Sequence, residues 1–111
     1  NTCDTKASPM VVWEGSHLIM HKAFQTALSP YPAAQWPDID LSDVYHAARR
    51  EVFEKCRRVA VHAEPGQAYA IHRLALHGIA PWQAGAHAPS EGRMIAYFRP
   101  ELSDIGEWPN L

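Results

Sequence analysis

The hydrophobic residues of this chain change their period at Cys56. Upstream, Met20, Ala23, Phe24, Ala27 and Leu28 recur at the i, i+3, i+4, i+7, i+8 spacing of one helical face, and Leu41, Val44, Tyr45, Ala48 and Val52 form a second such stripe. Downstream, Val59, Val61 and Ala63 alternate with Arg58, His62 and Glu64, the period of two that belongs to a strand. A chain with both periods folds as α+β, and the order of the periods places two helices before most of the strands.

Punctuation residues divide these runs. Met10–Trp13 is a short apolar stretch broken by Gly15, which reads as a strand ending in a turn, with Ser16 placed to cap the first helix. "SPYPAAQWPD" carries three prolines, so residues 29 to 39 are expected to be an irregular, ordered loop. Asp40 is a good N-cap for the second helix, and Asp43 sits where the helix dipole favours a carboxylate. "EPGQ" is a turn, with Pro65 fixing φ at the first central position and Gly66 accepting positive φ at the second. Alternation then predicts a strand from Ala68 to about Leu74, a loop through "APWQAGAHAPSEG", and a further strand from Arg93 to Arg99 that Pro100 closes.

At 111 residues the chain is the size of one domain. Its ten basic and twelve acidic residues are interleaved and leave a net charge of −2, which offers no footprint for nucleic acid or anionic lipid. No apolar run approaches the ~20 residues of a membrane helix and no signal pattern opens the chain, so a cytoplasmic protein is expected. Cys3 and Cys56 stand alone, without C-x-x-C spacing, and are expected to be reduced thiols. The chain opens on Asn1, with its first methionine at Met10, and is expected to be a piece of something longer.

Several side chains invite chemistry. His17 and His21, one helical turn apart, could approach one metal ion, but two ligands are too few and a solvated helix face explains them better. His62-x-Glu64 has the His-x-acid form of half a non-haem iron triad, but it abuts the Pro65–Gly66 turn at a strand end. Cys56 becomes a nucleophile only if Arg57 or Arg58 approaches its sulfur; otherwise it is a buried helix-end cysteine.

"HRLALHGIAPW" is more distinctive. The succession of a Pro-Gly turn, an apolar strand, "LHG" at residues 76–78, an irregular loop and an arginine opening another strand resembles the C-terminal half of the phytanoyl-CoA dioxygenase family. "VVWEGSH" at residues 11–17 adds a strand and Gly-Ser-His turn similar to that family's, so the resemblance runs from about Pro9 to Leu102. Its motifs are short, and its specificity lies in their order.

The resemblance implies an iron(II)/2-oxoglutarate-dependent oxygenase fold, here a partial double-stranded β-helix of jelly-roll or cupin-like type, with two helices and without the N-terminal strands. It implies His77 as the distal histidine ligand of iron. It also implies Arg93 as the group that meets the far carboxylate of 2-oxoglutarate through its two-pronged guanidinium, with Arg73 and Arg99 as weaker candidates. The family's His-x-Asp or His-x-Glu motif is missing, because no histidine precedes His17. The chain is therefore expected to be a single C-terminal fragment, inert by itself, whose parent hydroxylates a small organic substrate with iron(II) and 2-oxoglutarate. Half a barrel also leaves Tyr69, Ile71, Ile95, Tyr97 and Phe98 in need of cover, so a homodimer is expected. Two rival readings are a cupin-like small-molecule binding module, which makes no demand on Arg93, and a non-catalytic assembly domain, in which His77 would bond to backbone groups.

Overall fold

The computed structural model describes residues 4–88, 90, 95–99 and 101–108. Met10–Trp13 forms strand β1, and the chain turns through Gly15 (φ 76°), a left-handed conformation that a residue without Cβ adopts at no steric cost. Helix α1, Ser16–Leu28, follows and buries Met20, Phe24 and Leu28 on the predicted stripe. Ser16 does not cap it. Its hydroxyl is buried and accepts the Leu76 amide at 2.8 Å, so the side chain fastens a distant segment to the start of α1.

The proline-rich linker is more regular than expected: Ala33–Asp38 is a 3-10 helix with Pro37 inside it. Bonds of the i to i+3 type, Gln35 N to Pro32 O and Ile39 N to Trp36 O, survive because Pro37 removes only its own donor. Trp36 Nε1 donates to Tyr31 O at 3.0 Å and closes the linker on itself. Helix α2, Ser42–Lys55, begins where Asp40 accepts the Ser42 amide at 2.9 Å, with Asp43 in the first turn and Lys55 in the last, both favourable to the helix dipole. Ala48 and Val52 are buried against α1, and Leu41, Val44 and Tyr45 pack beside them.

Strands β2, Arg58–Val61, and β3, His77–Ile79, flank β1 antiparallel on its two sides, giving the order β2-β1-β3. Met10 stands between Val61 and Ile79, Val11 between Ala60 and Gly78, and Val12 between Val59 and His77. Val11 points to the buried face and is 3% exposed. Beyond the sheet, the arm at residues 4–9 runs beside the segment after β3: Ala80 N donates to Pro9 O, Ala7 bridges Trp82, and Gln83 N donates to Lys6 O. The core joins Met20 and Phe24 of α1 to Ala48 and Val52 of α2 and to Leu74, with Trp13, Leu76 and Trp108 packed around them. Trp108 follows a second 3-10 helix, Ile105–Glu107, and its ring centroid lies 5.3 Å from that of Phe24.

The architecture is α+β, with a small open sheet of three strands among the described residues. Two expected strands do not form among the described residues; Arg93 and Met94, which open the second, lie outside them. Residues 68–74 have no strand partner; instead the His72 ring accepts the Leu74 amide at 3.1 Å and Ala75 N donates to His72 O at 2.8 Å, a local turn that uses donors a ladder would need. That turn delivers Leu74 to the core. Residues 95–99 likewise lack regular structure, with Tyr97 and Phe98 largely in solvent. The third strand lies instead at His77–Ile79, between the expected strand end near Leu74 and the expected loop. No helix among the described residues is long and apolar enough to cross a membrane.

Candidate functional site

The register of the sheet defines the surroundings of His77. Met10, Val61 and Ile79 form one cross-strand row, and Val12, Val59 and His77 form the next on the same face, because side chains two apart along a strand share a side. His77 is thus the single polar side chain on an otherwise aliphatic face of the three strands. Its ring is exposed, and Nδ1 lies 2.8 Å from Ala75 O. A carbonyl oxygen can only accept, so the proton of the neutral ring resides on Nδ1 and the lone pair on Nε2. That is the tautomer a metal ligand requires, fixed by the kind of backbone bond that commonly orients ligating histidines.

The other groups needed for an iron site do not gather around it. No group of three histidine, cysteine, aspartate or glutamate side chains able to hold a metal ion exists among the described residues. Arg93, the expected partner of 2-oxoglutarate, lies outside the described residues. Arg73 is engaged elsewhere: Nη2 donates to Glu107 O at 3.0 Å and to Trp108 O. Its guanidinium holds the last 3-10 turn in place and is not turned to a carboxylate. Arg99 is exposed on the irregular segment after Ile95.

The remaining histidines pair differently from their spacing. His17 meets His72, at 4.9 Å between ring centroids and 38° between planes, because the Ser16–Leu76 bond docks the turn at residues 72–75 on the start of α1. In neutral His72, Nδ1 accepts the Leu74 amide, which puts the proton on Nε2 and leaves no lone pair for a metal. Nothing in the spacing of residues 17 and 72 announces this contact; it follows from a long-range hydrogen bond. His62 and Glu64 are exposed past the end of β2, and the Glu64 amide donates to Gln67 Oε1 at 2.8 Å within the Pro65–Gly66 turn.

Cys56 is half-buried at the end of α2 and packs against the core. Arg57 donates to Glu14 Oε2 at 2.9 Å, which lowers the carboxyl of Glu14 from its ordinary value. Asp4 is lowered as well, chiefly because its carboxylate accepts the main-chain amides of Lys6 and His87. These charged groups fasten loops and strand ends.

No protein-family model, curated protein or solved structure matches the chain.

Proposed function

We propose that this chain is the C-terminal part of a phytanoyl-CoA dioxygenase-like double-stranded β-helix and is catalytically inert by itself. The observation that carries the reading is His77: an exposed imidazole on an antiparallel strand, held by Ala75 O with Nε2 available, at the position of the "LHG" motif. In this reading Nε2 of His77 is the distal iron ligand of the intact parent, Arg93 receives the far carboxylate of 2-oxoglutarate, and the parent hydroxylates a small organic molecule. The described residues do not by themselves fit an iron(II) site, since such a metal is retained by several ligands acting together and only one is present on this face. In this reading the open three-stranded sheet would be one part of the jelly-roll, and the strands bearing a His-x-Asp or His-x-Glu pair would belong to the remainder.

A second reading draws on the same bond. A histidine fastened to a backbone carbonyl is also what a non-catalytic assembly domain would show, with His77 serving only to shape the entry to β3. A cupin-like binding module stands between the two, keeping a metal or small ligand at His77 without any role for Arg93.

Metal titration separates them. Cobalt(II), a paramagnetic substitute for iron(II), is added to the chain at millimolar concentration, and the seven histidine rings are followed by NMR. The oxygenase-like reading expects His77 to broaden first, 2-oxoglutarate to strengthen that broadening, and Arg93→Ala to abolish the strengthening. Broadening at His77 that ignores 2-oxoglutarate transfers the chain to the cupin-like reading, and indifference of His77 to the metal leaves the assembly role.

A further inference from the structure

Leu76 is held through both of its peptide units. Its amide donates to the buried hydroxyl of Ser16 at 2.8 Å, and its carbonyl oxygen accepts the Trp13 amide at 3.0 Å. Trp13 ends β1 and Ser16 opens α1, and the turn between them passes through Gly15 at φ 76°. One short stretch thus grips the residue that precedes His77 from two sides.

The first grip reaches further than Leu76. The Leu76 N–H belongs to the same peptide unit as the Ala75 carbonyl, and in a planar trans peptide these two groups point in opposite directions. Fixing one fixes the other. Ala75 O is the atom 2.8 Å from Nδ1 of His77, so one rigid plane carries the Ser16 hydroxyl at one end and the imidazole at the other. The coupling is electronic as well as geometric, since an amide that donates a hydrogen bond polarises its own carbonyl into a better acceptor. Trp13 fixes the next plane, between Leu76 and His77, and so sets the backbone from which the ring departs.

We propose that Ser16 is a positioning residue for His77: through the Ala75–Leu76 peptide plane, its buried hydroxyl holds the proton of the neutral ring on Nδ1 and keeps the lone pair on Nε2. The relay itself rests on these hydrogen bonds alone, whereas its use in presenting Nε2 to a metal rests on the oxygenase-like reading of His77. Without the hydroxyl, the Leu76 amide loses its acceptor, the plane is free to tilt, and Ala75 O moves off the ring. The exposed imidazole then passes its proton between the two nitrogens through solvent.

The tautomer is read without any metal, from long-range proton–nitrogen NMR spectra of the ring at about pH 8, where histidines are ordinarily neutral. In the native chain His77 is expected to show a protonated Nδ1 and an unprotonated Nε2. Ser16→Ala is expected to lower the ratio of the Nδ1–H to the Nε2–H form about 2- to 10-fold, the worth of one net hydrogen bond. Arg73→Ala frees the carbonyls of Glu107 and Trp108 and loosens the same segment without touching the relay, so it is expected to leave that ratio at its native value. A native His77 protonated on Nε2 overturns the proposal before any variant is made. A Ser16→Ala chain with an unchanged ratio overturns it too, as does an Arg73→Ala chain that shifts the ratio equally, because general fastening of the segment would then be the cause. A His77 of the expected tautomer that ignores cobalt(II) removes the oxygenase-like reading and upholds the relay, so the two failures are told apart.

Discussion

Residues 10–61 form a strand, two helices and a second strand whose apolar faces meet one another, whereas the described residues of 62–99 contribute one three-residue strand and leave seven bulky apolar groups in solvent. The difference lies in where each region finds its hydrogen-bond partners. Helices α1 and α2 satisfy their backbones internally and need only each other to bury a stripe of side chains. A strand needs a neighbour. β1 supplies both of its sides, one to β2 and one to β3, and no open side of β1 is left for residues 68–74 or 95–99. Tertiary packing is therefore concentrated in the first region, and the second is tied to it by the β1–β3 pairing and a few long-range bonds such as Leu76 N to Ser16 Oγ and Trp13 N to Leu76 O.

The sharpest way to break this comparison is to truncate one phenylalanine from each region. Phe24→Ala removes a ring that is 8% exposed and stacked near Trp108, and is expected to cost about 3–5 kcal/mol in urea unfolding. Phe98→Ala is expected to change the unfolding free energy by less than about 0.5 kcal/mol. Equal losses would mean that residues 95–99 belong to the core after all. Next in size is Ser16→Ala, which takes from the half-buried Leu76 amide its hydroxyl acceptor and is expected to cost about 1–3 kcal/mol. Loss of the His17–His72 ring contact in the same variant, read from histidine chemical shifts, would show that this bond is what docks the second region.

The smallest effect concerns acid. Asp4 is held below 3.8 by the amides of Lys6 and His87, so its contribution is fully present above that value and is lost as the pH falls through the lower value of the folded chain. Asp4→Asn is expected to be less stable than the native chain at neutral pH, with the gap closing in acid denaturation curves below pH 4. A gap of constant width would remove the carboxylate from the account of how the arm is held.

The same contrast explains what could be read from the sequence. The spacing of Met20, Phe24 and Leu28, and of Val44, Ala48 and Val52, reported real faces because helix periodicity is a local property. Asp40 does bond at the start of α2, but from one residue before the cap position, which Leu41 occupies without a side-chain bond. Ser16 does not cap α1, since a buried acceptor was needed by Leu76, sixty residues away. Alternation over residues 68–74 described a segment competent to be a strand, but competence becomes structure only beside a partner, and the His72 ring offered the Leu74 amide a nearer one. Of the candidate site, His77 was singled out by its motif, and its strand placement and fixed tautomer emerge only from the register with Val12 and the bond to Ala75. His72 could not have been found, because its contact with His17 exists only in the folded chain.

The position of β1 at the centre of the sheet has a consequence for biosynthesis. Met10–Trp13 emerges from the ribosome before either neighbour has been made: β2 is complete only at Val61 and β3 only at Ile79. Folding of the sheet is thus bound to sequence-distant contacts, a slow class, while α1 and α2 can pair as soon as Lys55 is out. For that interval β1 waits for both of its strand neighbours beside a nearly finished helical hairpin.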